Sequence, residues 1–219
     1  MSAPARTQAL RPVEHPARLV VPGVAGVVLV LLLGVVIRSW PPLTAWDTSV
    51  LEALGRHRTS GLTAVAKFLA WLFNPSVAIT LTVAIALLVW ALTRSWERAT
   101  VFTLVVFVGW LATQGTKFLI QRPRPELSDP IVATPTSFSY PSGHTAIACS
   151  LAVAVVFTLR DWSARWTAIT AGALVVIAVA WSRLYLGVHY VTDVCAATIL
   201  TVAVAGILIP LTTNVLRRR

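Results

Sequence analysis

Six apolar runs, each close to the length of a bilayer-crossing helix, recur along this chain: Leu19 to Ile37, Pro75 to Leu92, Ala99 to Lys117, Thr145 to Leu159, Trp166 to Ser182 and Val194 to Leu216. A hydrocarbon core about 30 Å thick needs about 20 helical residues to cross it. Lipid-exposed backbone must satisfy its own hydrogen bonds, which a helix does within one segment. The alternating pattern of a membrane β-barrel is absent. The chain therefore reads as an all-α polytopic membrane protein with six transmembrane helices. Composition agrees, with 57% hydrophobic and 12% charged residues and a mean hydropathy of +0.78, too apolar for an ordinary soluble domain. Residues 1–18 read as a cytoplasmic N-terminal tail, 19–216 as one transmembrane domain and 217–219 as a basic C-terminal tail.

Between the first two spans, Leu62 to Phe73 is apolar but only 12 residues long, carries Lys67 and is cut from the next run by Asn74-Pro75, where proline disfavours a continuing helix. It reads as an interfacial or re-entrant helix. Fused with the following run it leaves six spans; crossing alone it makes seven and overturns the topology. With six, Arg6, Arg11, Arg18, Arg94, Arg98, Arg160, Arg165 and Arg217 to Arg219 put ten cations on one side, against eight on the other: Arg38, Arg56, Arg58, Lys67, Lys117, Arg122, Arg124 and Arg183. Several of those eight belong to the chemical cluster described next. The first side is thus richer in uncommitted charge and cytoplasmic by the positive-inside rule, with both termini inside and the chemistry outside. Seven tryptophans, Trp40, Trp46, Trp90, Trp96, Trp162, Trp166 and Trp181, fall near span ends, where amphipathic rings favour the headgroup zone. The net charge of +10 is dispersed among loops rather than gathered on one face, which argues against nucleic acid as a partner. Cys149 and Cys195 lie in spans and read as small buried apolar residues.

Three short stretches carry nearly all the charged and imidazole chemistry outside the basic tails. Lys117 ends a helix, and the chain then breaks at Pro123 and Pro125, placing Lys117 and Arg124 at the membrane surface; Arg122, in an identical Arg-Pro step, competes with Arg124 for the same role. Pro141-Ser142-Gly143-His144 opens a span, and a helix start offers unpaired N–H groups and a positive dipole end to an anion. Ser142 also suits an N-cap. His189 and Asp193 are four residues apart, so on a helix they share a face and the carboxylate accepts a proton from one imidazole nitrogen, freeing the other as base or nucleophile. The Leu184 to Val188 turn, with Gly187, returns Arg183 to the same place.

The spacings Lys117-x6-Arg124-Pro125, Pro141-Ser142-Gly143-His144 and Ser182-Arg183-x5-His189-x3-Asp193 resemble the three-part signature of the type 2 phosphatidic acid phosphatase family, without substitution and in the family's order, over roughly Leu62 to the last helix. The resemblance selects Arg124 over Arg122. It implies that His189 is the nucleophile forming a phosphohistidine, that Asp193 fixes its tautomer and that His144 is the general acid. It further implies that Lys117, Arg124, Ser142, Gly143 and Arg183 bind phosphate. Such positioning and charge stabilisation supply most of phosphoryl-transfer catalysis. No metal or other cofactor is expected, since the cations take its place and Glu126 and Asp129 form no paired ligand cluster. The two histidines need opposite protonation states, which predicts a bell-shaped pH profile.

The expected substrate is a membrane lipid phosphate. The fourth run has only about 15 strongly apolar residues, about 22 Å of helix, so His144 should sit at or below the headgroup plane. Polyprenyl (undecaprenyl) pyrophosphate is favoured; phosphatidylglycerophosphate and phosphatidic acid are the alternatives. Phe138 and Tyr140 are expected at the entrance or in loop packing. A lipid phosphotransferase would use the same residues, whereas a transporter is disfavoured because the charges cluster at one surface.

Overall fold

A computed structural model describes residues 13–127, 130–133, 135–159 and 162–216. Arg6, Arg11, Asp129, Arg160 and Arg217 to Arg219 lie outside the described residues, as do most of the N-terminal tail and all of the C-terminal one. Every regular element among the described residues is an α-helix: α1 (Ala17–Ser39), α2 (Pro41–Arg56), α3 (Ser60–Leu72), α4 (Pro75–Thr93), α5 (Trp96–Ile120), α6 (Gly143–Thr158), α7 (Trp162–Tyr185) and α8 (Val191–Leu216). Five of them, α1, α4, α5, α7 and α8, are long and apolar enough to cross a membrane; α3 and α6 are shorter apolar helices.

All six apolar runs form helices, several longer than the hydropathy pattern indicates because polar capping residues extend them. Ser95 accepts from the Arg98 N–H and starts α5 three residues early. The same helix continues a turn beyond Lys117, to Ile120, and closes on Gln121 in the left-handed region at φ 53°. Thr59 caps α3 by accepting from Leu62 N–H, and Asn74 caps α4 with Pro75 at its first position, where a missing N–H costs nothing. The sequence pattern does not reveal α2. Asp47, Thr48, Ser49 and Glu52 interrupt its hydropathy, yet Pro41 and Pro42 start a helix whose buried face holds Asp47 and Leu51, four residues apart and so on one side.

Close packing draws the bundle together. α1 lies along α8 and α6 is wedged between α5, α7 and α8. At Gly23 a Cβ would stand 2.7 Å from the Ala203 carbonyl oxygen, a backbone approach that small residues permit. Val101, Phe102, Val105, Ile147, Leu151 and Val179 form a buried apolar cluster joining α5, α6 and α7. Large apolar side chains such as Val21, Leu32, Leu87 and Leu174 instead face outward, as expected of surfaces against lipid rather than water. Cys149 is buried, but Cys195 is exposed on the outer face of α8, contrary to its expected burial; a lipid-facing position tolerates a small apolar thiol equally well.

The C-terminal ends of α1, α5 and α7 and the N-terminal ends of α6 and α8 meet at one end of the bundle. Arg38 donates to the Ile120 carbonyl at 2.8 Å, and the Ser142 N–H donates to the Asp193 carbonyl at 3.1 Å. The Tyr185 hydroxyl accepts from Thr59 N–H at 3.0 Å, holding the start of α3 against α7. The residues of all three stretches gather there.

Candidate active site

The chain after α5 is organised by its own cations. Pro123 and Pro125 keep it extended, and Ser139 N–H donates to the Arg122 carbonyl at 2.9 Å, setting residues 122–125 beside 137–140. Lys117, buried in the last turn of α5, donates to the carbonyls of Phe138 at 2.8 Å and Ser139 at 3.3 Å. Arg124 bridges this segment to the turn before α8. It donates to the Ser137 carbonyl at 2.7 Å, the Ser137 hydroxyl at 3.0 Å and the Val188 carbonyl at 2.6 Å, with the last Nη also 3.2 Å from His189 Nε2. Burial brings its pKa down to about 10, so the guanidinium stays charged at neutral pH.

The start of α6 enters from the opposite side. The Tyr140 hydroxyl donates to the Val30 carbonyl of α1 at 2.7 Å, with the ring fully buried. Tyr140 is therefore a packing residue and not part of an entrance. Ser142 occupies the N-cap position, but its side chain caps no main-chain N–H; its hydroxyl accepts from Thr145 Oγ1 at 3.1 Å. The expected N-cap bond is replaced by this side-chain pair. The first-turn amides at Gly143 and His144 present the positive end of the helix to the site. His144 is half-buried, with its ring near the Ala70 carbonyl of α3.

The turn Leu186–Tyr190 completes the cluster. Gly187 has φ +70°, and a Cβ there would run into Leu127; glycine alone fits both the left-handed conformation and the space. Val188 N–H donates to the Arg183 carbonyl at 3.1 Å, folding His189 back over the end of α7. Arg183 belongs to the last turn of α7 rather than to the loop beyond it, because the helix continues to Tyr185. His189 lies in the turn before α8, not on a helical face, but its Nδ1 still reaches Asp193 Oδ2 at 3.4 Å across the helix start. That oxygen also accepts from Tyr190 N–H at 2.9 Å.

The electrostatics follow from this arrangement. His189 is 2% exposed. Burial first, then the positive charges of Arg124, Lys117 and Arg183, push its imidazole well below the ordinary value, so it is neutral at physiological pH. Arg183 is equally buried; its Nε donates to the Ser182 hydroxyl at 3.3 Å, while its Nη2 has no hydrogen-bond partner among the described residues. A buried charged donor left open is costly, and an anion could satisfy it. Lys117, Arg124, His144, Arg183, His189 and Asp193 thus converge, with Gly143 at the adjoining helix start and the Ser142 hydroxyl held beneath by Thr145.

Arg122 does not share the role of Arg124. It turns away from this cradle and donates to Asp193 Oδ1 at 2.8 Å and to Asp47 Oδ2 at 2.9 Å. Asp47 carried no local sequence signal at all. Beside the site, an apolar cavity of about 220 Å³ between α4, α5 and α6 is lined by Pro75, Ala78, Val106, Phe107, Trp110 and Ile147; Ile147 lies three residues, hence one helical turn, below His144. Among the described residues no group of three or more His, Cys, Asp or Glu side chains could hold a metal ion.

The chain is similar to known proteins. The profile of the PAP2 superfamily matches residues 98–217, which hold all three stretches. The chain is 39% identical over 66 residues to an undecaprenyl-diphosphatase of Sulfolobus acidocaldarius, covering 30% of each protein. It is 38% identical over 90 residues to a decaprenylphosphoryl-5-phosphoribose phosphatase of Mycolicibacterium smegmatis, covering 40% of this chain and 46% of that one. These matches therefore span less than half the length of either curated relative. The fold is similar to the crystal structure of a transmembrane PAP2 type phosphatidylglycerolphosphate phosphatase from Bacillus subtilis, with a TM-score of 0.74 and 25% identity over 90% of this chain and 96% of that one. A second crystal structure, Aquifex aeolicus LpxE, aligns with a TM-score of 0.57 and 22% identity over 74% of this chain and 93% of that one.

Proposed function

The chain belongs to the PAP2 superfamily, and from that premise we propose that it is an integral membrane lipid phosphatase working through a phosphohistidine on His189. The observation that carries this reading is the open Nη2 of buried Arg183 beside a neutral His189, whose Nδ1 is turned to Asp193 and whose Nε2 faces Arg124. One nitrogen is fixed and the other is directed at the cations, as a nucleophile on a bound phosphate requires.

In the proposed reaction Nε2 of His189 attacks phosphorus as the bond to the lipid oxygen breaks, and His144 gives its proton to that oxygen. The lipid leaves as an alcohol, or as a monophosphate when the substrate is a pyrophosphate. His144 then removes a proton from water, which displaces the phosphoryl group as inorganic phosphate and regenerates His189. Asp193 holds the tautomer and stabilises the ring's positive charge. Lys117, Arg124, Arg183 and the Gly143 amide neutralise the non-transferred oxygens, with Ser142 shaping the helix start behind them. The proposed reaction uses no metal: among the described residues the carboxylate against the nucleophile is Asp193, already engaged by Arg122, Tyr190 N–H and His189.

The membrane arrangement belongs to the same proposal. α6 crosses as well, making six spans with α1, α4, α5, α7 and α8 and standing fourth in chain order. Its 16 residues make about 24 Å of helix, shorter than the hydrocarbon core, which sets His144 below the headgroup plane. α3 lies in the interface over the site, both termini are cytoplasmic and the site opens on the outer face. A phosphate whose tail remains in the bilayer suits that depth, and the α4–α5–α6 cavity offers apolar surface one turn from the proposed acid. Undecaprenyl pyrophosphate is the preferred substrate, as in the name of one relative. Phosphatidylglycerophosphate is the second reading, favoured by the fold similarity to a phosphatase for that lipid over nearly the whole chain. Purified protein in detergent with chelator, assayed for phosphate release from both lipids and from phosphatidic acid beside His189→Ala, tests the reading: activity in the wild type and none in the variant is expected. Equal activity in the two, or a requirement for a divalent ion, overturns it.

A further inference from the structure

Asp47 lies on α2, outside the three stretches and N-terminal to the residues the family profile matches, yet it is fully buried. Its Oδ2 receives Arg122 Nη2 at 2.9 Å and the Thr192 hydroxyl, and its Oδ1 receives Thr192 N–H at 3.2 Å. Arg122 is itself 2% exposed and sits over the Tyr190 ring, 3.9 Å from its centroid. Its Nη1 donates to Asp193 Oδ1 at 2.8 Å and to the Thr192 hydroxyl at 2.6 Å. Asp193 then spends its other oxygen on His189 and Tyr190 N–H. The result is an unbroken buried chain, Asp47 to Arg122 to Asp193 to His189. Burying three charges costs several kcal/mol per ion before pairing, and apolar residues of similar volume commonly stabilise as well or better. A stability role alone does not call for it.

Taking the lipid phosphatase reading as given, we propose that Asp47 is a positioning residue: by anchoring Arg122 it fixes the Asp193 carboxylate so that Oδ2 alone faces His189. Two arginines in identical Arg-Pro steps flank the site, and the carboxylate on α2 decides their division of labour. Arg124 serves the phosphate. Arg122 is held back on the carboxylates and does not become a fourth cation competing for the anion. The titratable and charged groups facing His189 are Lys117 from α5, Arg124 from the following segment, His144 from α6, Arg183 from α7 and Asp193 from α8. Removing the negative charge of Asp47 frees Arg122 to draw more of the Asp193 charge to itself. The field at His189 becomes more positive, so the ring becomes less basic and a poorer nucleophile.

The test compares wild type with Asp47→Asn and with Thr192→Val, a shape-conserving change that removes only the hydroxyl shared by Asp47 and Arg122. Phosphate release is followed from phosphatidic acid and from farnesyl diphosphate between pH 5 and 9, and imidazole nitrogen NMR reads the His189 tautomer. Asp47→Asn is expected to lower kcat by about 10- to 100-fold, the range typical of outer-shell partners, with KM within about threefold, the acid limb moved to lower pH and the Nδ1–H tautomer no longer uniform. Thr192→Val shifts the same quantities in the same direction by a smaller factor. Folded Asp47→Asn with the kcat, acid limb and tautomer of the wild type overturns the proposal, as does a raised KM at unchanged kcat. If Asp47→Asn does not fold, Thr192→Val decides it on the same readouts. Should the wild type itself release no phosphate, the phosphatase reading falls, and the NMR readout still decides whether Asp47 sets the state of His189.

Discussion

Lowering the pH should destabilise this protein through His189, by an amount that the structure allows to be worked out. The imidazole is 2% exposed and held neutral by burial and by the surrounding cations, whereas in the unfolded chain it titrates near 6.5. Below that pH the unfolded state binds a proton that the folded state does not. Stability therefore rises with pH through this window and falls as pH drops. With the folded ring still neutral, the loss between pH 6.5 and 5.5 is about 1 kcal/mol, steepening toward about 1.4 kcal/mol per pH unit. For a chain of this size about 1 kcal/mol corresponds to roughly 2–4 °C in Tm. The perturbation is His189→Asn, which keeps a donor toward Asp193 and cannot titrate. Thermal unfolding in detergent at intervals from pH 7.5 to 5.5 should show the wild type losing those few degrees relative to the variant. Saturating orthovanadate, an anion in the phosphate position, should reduce the difference, because its negative charge favours the protonated ring. Parallel curves for the two proteins would refute the reasoning: the ring would then be titrating as freely in the folded state as in the unfolded one.

Two further outcomes follow from specific contacts. Arg183→Gln removes the buried donor that lacks a partner; losing a charged hydrogen bond to the phosphate is worth about 1.5–3 kcal/mol, so affinity for vanadate should fall by at least tenfold while Tm holds or rises, and a lower Tm with unchanged affinity would count against an anion site. Gly23→Ala places a methyl 2.7 Å from both the Ala203 carbonyl oxygen and Ile207 Cγ1; forcing α1 off α8 should cost about 1–3 kcal/mol, read as a lower midpoint in detergent unfolding, and an unaltered midpoint would mean that the two helices do not pack so closely.

What could be read from the sequence divides along a physical line. Hydropathy is a property of each segment alone, so all six apolar runs were visible, and the Pro123 and Pro125 breaks announced where the chain leaves α5. Motif spacing is also local, so Lys117, Arg124, His144, Arg183, His189 and Asp193 could be named before their convergence was seen. Properties that depend on distant partners were hidden. An N-cap was the natural reading of Ser142, but Thr145 takes up its hydroxyl. A shared helical face was the natural reading of His189 and Asp193, although the pair meets across the start of α8. The case of Arg122 is the most instructive. Its Arg-Pro context is the same as that of Arg124, and what separates the two is a carboxylate 75 residues upstream in a helix too polar to register as a span. An arginine's role in a site crowded with cations is set by the counter-charge it meets. Motif spacing alone therefore leaves Arg122 without a role, and the way to recover it from sequence is to ask where a membrane chain carries an isolated acid near the site-bearing end. Among the acids upstream of the first stretch, Asp47 is the one whose burial makes its partner unavoidable, since an unpaired carboxylate there would cost more than the helix could withstand.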